Sequence, residues 1–303
     1  MIIDYLSKYQ SNLVAIVYMI FSTFFVTVMI AFIKYAQNDL NVYTVSFFRF
    51  FLGLLIILPF IIYSKYKIFS TPNLKLHLLR SCINLPAMYL GFGALTLLTL
   101  EKISALHFIA PLFVTILAII LLKEKIYLFR VSSLVIGFIG MLIVIRPGFI
   151  AIDIGTIMSI SSAFFWAFAI IITKKLAKKD NAITILSYQY IFMTLFTFIV
   201  ALFYWQTPSL EELGYLFLAA LSGTLFHLFL NHAYKLVDLT LTTPFTFLGL
   251  LWGSLFGYLF FNELPDLFTW IGGIIIFSSV LLITIRESQL DKDISKKSLP
   301  LAQ

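Results

Sequence analysis

Ten apolar runs, each close to the ~20 residues that one bilayer crossing requires, follow one another along this chain with only short polar breaks between them. They fall near residues 13–36, 43–63, 74–99, 103–122 and 130–146, then 154–174, 183–204, 211–235, 240–261 and 267–286. In hydrocarbon a segment of this length has to satisfy its backbone N–H and C=O groups internally, and a helix does so. Of the 303 residues, 61% are hydrophobic and 12% charged, where a soluble domain carries about 25% charged residues. That is too little charge to coat a water-facing surface. The expected fold is an all-α polytopic membrane protein of ten transmembrane helices. No loop is long enough to hold a soluble domain, and the first apolar run is too long for a signal-peptide core. Residues 287–303 are polar and are expected to form a disordered cytoplasmic tail.

The net charge of +7 lies in short loops, where it sets topology rather than binding nucleic acid. With the amino terminus placed in the cytoplasm, sixteen Lys and Arg residues fall inside and three, Lys34, Lys102 and Arg146, fall outside. The expectation is a multi-pass protein of a bacterial inner membrane with both termini cytoplasmic. The single cysteine, Cys82, excludes an intramolecular disulfide.

The runs are also written twice. From Leu95 to Gly148 the chain reads as an apolar run, Glu101-Lys102, a run containing Pro111, the turn Lys123-Glu124-Lys125, and a run closed by Arg146-Pro147-Gly148. From Tyr234 the pattern returns, with Pro244 inside a run, the turn Asn262-Glu263-Leu264-Pro265, and Arg286 closing the last run. Ser22-Thr23-Phe24-Phe25 falls on Ser162-Ala163-Phe164-Phe165 at an offset of 140, and Glu124 falls on Glu263 at an offset of 139. The repeats span 13–148 and 153–286. Five spans per repeat is an odd number, so the second enters the membrane inverted. Two inverted five-helix repeats around a central cavity are a transporter architecture.

Polar residues inside spans are few and costly, at about 2.5–3.5 kcal/mol for a mid-helix Arg on an insertion scale. Arg49, six residues into the second span, reads either as a carboxylate clamp or as a side chain snorkelling to the interface. Arg80, on the lysine-rich side of the third span, reads first as snorkelling. His227, Asn231 and Tyr234 share one face of the eighth span, with His232 beside them, and that polar stripe has to face protein or a cavity. His107 and Pro111 share a face of the fourth. Asn84, Tyr89, Trp166, Tyr188, Gln189, Phe247 and Trp252 complete the candidate substrate-binding set, although an aromatic in such a helix is more often packing or an interface anchor. Pro86, Pro111 and Pro244 interrupt spans 3, 4 and 9 and suit a cavity wall or a hinge. Every Asp and Glu falls at a span end or in a loop. A buried carboxylate relay, usual in proton-driven antiporters, is therefore missing, which favours a uniporter or a metabolite exchanger. No metal site, cofactor or catalytic cluster is expected. An intramembrane enzyme would need a nucleophile, base or metal set at one depth, and the histidines lie on different spans without carboxylate partners.

The two five-span repeats resemble the EamA-type members of the drug/metabolite transporter superfamily. The resemblance rests on Glu124 and Glu263 after the fourth span of each repeat and on the small residues Gly137, Gly140, Gly272, Gly273 and Ser279 that follow. Arg146-Pro147-Gly148 between the repeats belongs to the same pattern. Within that superfamily the stretches Ser81-Cys82-Ile83-Asn84-Leu85-Pro86-Ala87-Met88-Tyr89 and Leu241-Thr242-Thr243-Pro244-Phe245-Thr246-Phe247 are similar to the S-adenosylmethionine uptake transporters of rickettsial-type bacteria. The resemblance implies spans 1–4 and 6–9 around a central pocket, with spans 5 and 10 outside them. It implies a small-molecule carrier working by alternating access, with S-adenosylmethionine as substrate and S-adenosylhomocysteine as the exchange partner. Export of amino acids or related metabolites is the alternative. Such a substrate asks for a donor to its carboxylate, aromatic faces for its sulfonium, and stacking with hydrogen bonds for its adenine. Glu124 and Glu263 mark equivalent helix ends on opposite faces, where they would clamp a moving bundle without touching substrate. Oligomeric state stays open between monomer and homodimer.

Overall fold

The computed structural model describes residues 2–63, 69–98, 103, 106, 109–123, 128–146, 153–262, 267–268, 270–275, 277–279, 281–282 and 285. The described residues build helices throughout. In order they are α1 (Ile2–Ala36), α2 (Val42–Tyr63), α3 (Leu74–Leu95), α4 (Ile109–Leu122), α5 (Leu128–Ile145), α6 (Ile154–Ala177), α7 (Ala182–Ala201) and α8 (Leu210–Leu236). The ninth span is broken into α9 (Leu239–Thr242), a 3-10 turn (Thr243–Phe247) and α10 (Leu248–Phe261). A short apolar helix, α11 (Trp270–Ser279), stands in the tenth.

Among the described residues six helices are long and apolar enough to cross a membrane, and they occupy spans 1–3 and 6–8, the same three places in each repeat. Their outward faces stay apolar, with Val17, Phe21, Leu55, Ile62, Phe164 and Leu195 all exposed. Lipid tails offer these surfaces what a protein core offers elsewhere. α1 continues back to Ile2, well ahead of its apolar run, because nothing from Ile3 to Asn12 stops a helix. The other ends are set by local chemistry. Asp153, Asn181 and Ser209 cap α6, α7 and α8, and Ser209 forms a reciprocal box with Glu212. Such a cap satisfies N–H groups the helix cannot, for about 1 kcal/mol each.

The halves interleave. α1 packs on α8, α6 on α3 and α2 on α7, so each long helix of one half lies against one of the other. Lipid supplies no hydrophobic drive between helices, which leaves close packing and hydrogen bonds, the latter about 0.6 kcal/mol apiece. Two of these bonds are related by the repeat. Ser22 in α1 donates to the Phe226 carbonyl in α8 at 3.4 Å, and Ser162 in α6 donates to the Ala87 carbonyl in α3 at 2.6 Å. α3 runs through Pro86 without a break, next to that second bridge, which corrects the expectation of an interrupted third span. Pro244 does interrupt the ninth, since it opens the 3-10 turn; Pro111 falls within α4. Spans 5, 9 and 10 meet at Gly137. A Cβ there would stand 2.7 Å from the Phe247 ring and 3.0 Å from Ser279 Oγ, so only glycine allows the approach. Glu124 and Glu263 lie outside the described residues. The residues before them, Lys123 and Asn262, end their helices in the same left-handed conformation, with φ of 56° and 53°.

Candidate functional site

A cavity of about 220 Å3 lies between the halves, walled by α1, α2, α3, α4, α6, α8 and the broken ninth span. Its wall is mostly apolar, with Met19, Met29, Phe50, Met88, Trp166 and Phe226 among the lining side chains. Ser22, Thr23, Thr27, Arg49, Asn84, Ser162, His227, Tyr234, Thr242 and Thr246 are the polar ones among the described lining residues. No carboxylate is among the described lining residues.

Arg49 is the only charged residue among the described residues of that lining. It is 2% exposed, so it does not snorkel. Its guanidinium lies 4.2 Å over the Phe50 ring and 5.6 Å from the Tyr190 ring. Nη2 donates to Met29 Sδ at 3.2 Å, a weak acceptor. Nε and Nη1 have no partner. The setting is built around it. Tyr190, fully buried, shares a hydrogen bond with the Thr224 hydroxyl at 2.8 Å, and Thr224 donates to the Ala220 carbonyl at 2.8 Å. Gly223 gives the guanidinium room, because a Cβ there would sit 2.5 Å from Nη2. A buried, unpaired cation costs several kcal/mol. Two idle donors on such a group facing a cavity mark a place for an anionic ligand group.

One turn further along α8 from Gly223 the lining offers neutral hydrogen-bonding groups. His227 Nε2 and the Gln189 amide nitrogen are 3.2 Å apart, leaving Gln189 Oε1 and His227 Nδ1 unpaired. Trp166 lies 6.1 Å from the His227 ring and 6.1 Å from Phe226. Asn231, one turn from His227, is buried with both ends of its amide unpaired. Asn84 lines the cavity from α3. Arg80, one turn before Asn84, is 3% exposed and turned inward, where Nε donates to Thr173 at 2.5 Å and Nη1 is unpaired. This corrects the snorkelling expectation; Thr173 on α6 offers it a polar seat within the bundle. Lys174 beside it donates to the Tyr234 and Val237 carbonyls and so caps the end of α8.

The structure thus brings together Arg49, Asn84, Trp166 and His227 on the lining, with Gln189 and Asn231 directly behind. Four other candidates are placed elsewhere. Tyr188 stacks on His77 at 4.5 Å, beyond one end of the cavity. Tyr89 leans on Tyr43 toward the other end, its hydroxyl unpaired. Phe247 is fully buried against Gly137. Trp252 donates to Thr23 at 3.3 Å from outside the lining. His107 lies outside the described residues, and His232 is exposed.

The halves touch each other in two places beyond the cavity. At one, Asp180 accepts from Thr71 at 2.7 Å and Asn73 at 3.1 Å and pairs with His77 at 3.2 Å. Both members of that pair are buried. At the other, the Asn41 amide donates to the Tyr204 carbonyl at 2.7 Å, the Asn41 backbone N–H donates to Gln206 Oε1 at 2.6 Å, and Tyr43 stacks on Tyr204 at 4.5 Å.

Comparison with known proteins agrees with this arrangement. The profile of the EamA-like transporter family matches residues 13–146 and again 153–285. The S-adenosylmethionine uptake transporter of Rickettsia prowazekii (strain Madrid E) is 33% identical over 256 residues, covering 84% of this chain and 87% of that protein. The riboflavin transporter of Vibrio cholerae is 28% identical over 249 residues, covering 81% of this chain and 84% of its own length. A solved crystal structure superposes with a TM-score of 0.73 over 93% of this chain and 98% of that one, at 14% identity, a likeness of fold.

Proposed function

The chain belongs to the EamA-like transporter family, whose members are carriers and not enzymes, and from that premise we propose that it takes up S-adenosylmethionine across a bacterial inner membrane. S-adenosylhomocysteine is the partner it returns. The observation that carries the substrate is Arg49, a buried guanidinium with two idle donors on a cavity lining that holds no described carboxylate. An α-carboxylate answers that site. Riboflavin, the substrate named for the Vibrio relative, has no carboxylate and would leave the cation unpaired in the loaded state.

The amino-acid end of the substrate then sits on Arg49, and the adenosine end lies toward Trp166, with Asn84, the Gln189–His227 pair and Asn231 as hydrogen-bonding groups. Tyr89 and Tyr188 act at the cavity ends, while His107, Phe247 and Trp252 complete the expected set. Transport alternates the two end contacts. One is released while the other holds, and the halves rock about the site between them. The loop charges put both termini and the Asp180 end in the cytoplasm. Glu124 and Glu263 clamp the tips of the fourth and ninth spans, and Pro86, Pro111 and Pro244 ease the bending of theirs.

Labelled S-adenosylmethionine offered to cells that lack their own uptake tests this reading. Saturable uptake above a vector control is expected. Uptake no greater than the control would end it in favour of export of amino acids or related metabolites.

A further inference from the structure

The charges around the cavity bear on which chemical form of the substrate it holds best. Arg49 lines the cavity and Arg80 lies one turn below Asn84, both buried. Arginine keeps its proton in proteins, so two fixed positive charges flank the ligand. Among the described residues no carboxylate lines the cavity to balance them. The buried carboxylate among the described residues, Asp180, is engaged by His77, Thr71 and Asn73. The aromatic faces nearest the anion seat, Phe50 and Tyr190, are already occupied by the Arg49 guanidinium.

S-adenosylmethionine brings a carboxylate, an ammonium and a sulfonium, a net charge of about +1 near neutral pH. Methyl transfer removes the methyl group with the sulfonium charge and leaves a thioether zwitterion of net zero charge. The two ligands present the same carboxylate to Arg49 and the same adenosine to the other wall. They differ by one methyl group and one positive charge, and the charge enters a field that is already positive. Resting on the substrate reading above, we propose that the cavity selects by net charge and binds the zwitterionic thioether more tightly than the sulfonium. A unit charge about 10 Å from another, at the effective dielectric of a protein interior, shifts a binding constant by roughly tenfold. Exchange of external sulfonium for internal thioether then carries one positive charge inward per cycle. An inside-negative membrane potential drives it and offsets the tighter hold on the returning product.

The test is inhibition of labelled S-adenosylmethionine uptake in vesicles containing the purified full chain. Unlabelled S-adenosylmethionine, S-adenosylhomocysteine and decarboxylated S-adenosylmethionine are the competitors. Half-inhibition by the thioether is expected at a concentration about tenfold lower than by the sulfonium, with the decarboxylated dication weakest. Arg80→Gln, which removes a charge without touching the lining, is expected to narrow the tenfold gap, and Arg80→Lys, which keeps the charge, to preserve it. A merely structural role for Arg80 would not move that ratio. Equal inhibition by the two ligands, or a gap that Arg80→Gln leaves unchanged, overturns the charge selection while the substrate reading stands. Absence of saturable uptake, with no inhibition by either ligand, overturns both.

Discussion

α2 and α7 hold equivalent places in the two repeats, and two differences between them bear on the cavity and its ends. The first is at mid-span. Arg49 and Gln189 are equivalent at the 140-residue offset, and both are buried. Arg49 brings a charge and two idle donors to a residue position that lines the cavity, whereas Gln189 is neutral, bonded to His227 and left with one idle acceptor. The second is at the helix start. Asn41 and Asn181 cap their helices alike, accepting from Thr44 N at 2.9 Å and Thr184 N at 2.7 Å. Around them, however, the α7 end is held by a buried carboxylate and the α2 end by exposed neutral amides and a tyrosine stack. The repeat therefore supplies a symmetric frame, and the chemistry laid on it is asymmetric. One half presents a charge and the other neutral hydrogen-bonding groups, as a substrate with an acid end and a nucleobase end requires. Hydrogen bonds to a charged group contribute about 1.5–3 kcal/mol, against about 0.5–1.5 for neutral ones. The Asp180 end is therefore expected to be the harder to open, in keeping with the proposed uptake from the Tyr204 end.

The sharpest way to break this asymmetry is Arg49→Gln, which makes α2 resemble α7 at mid-span. Losing one side of a buried charge pair costs about 2–5 kcal/mol, so uptake at low substrate concentration is expected to fall about 100-fold. Gln189→Ala should cost far less in the same assay. Next in size is Asp180→Asn. Tested in a Cys82→Ser background with a cysteine placed at Met88 on the lining, it should speed labelling from the Asp180 side about tenfold. Gly223→Ala follows. Its new Cβ displaces the Arg49 guanidinium and should raise the half-saturating concentration about fivefold. Arg49→Lys in the same variant should recover part of the loss, because a lysine avoids the clash. Smallest is Asn41→Ala, expected to speed labelling from the Tyr204 side by less than about threefold. Equal effects of Asp180→Asn and Asn41→Ala on their respective sides would mean that the two ends are held alike.

How much of this was legible beforehand differs from residue to residue. The spans, the repeat and Arg49 stood out because charge and punctuation are rare against an apolar background. The Ser22–Ser162 equivalence was visible as an offset, but its bridging bonds were not, since each accepts at a carbonyl of a distant helix. Tyr190 and Gly223 carried no signal. A tyrosine beside many aromatics and a glycine in a helix look ordinary until a guanidinium is placed between them. Phe247 and Trp252 stand off the described lining, which the sequence does not show, since side-chain direction depends on packing. Arg80 was read from its depth alone, and the inward hydroxyl of Thr173 decided otherwise. Asp180 read as a loop acid because its partners lie in the other half, more than 100 residues away.

The most direct test of the central claim is a structure of the full chain determined with S-adenosylmethionine bound. The ligand is expected in the cavity between the halves, with its carboxylate about 3 Å from the Arg49 guanidinium and its adenine toward Trp166 and His227. A ligand seated with its carboxylate away from Arg49, or bound outside the cavity, would contradict the account.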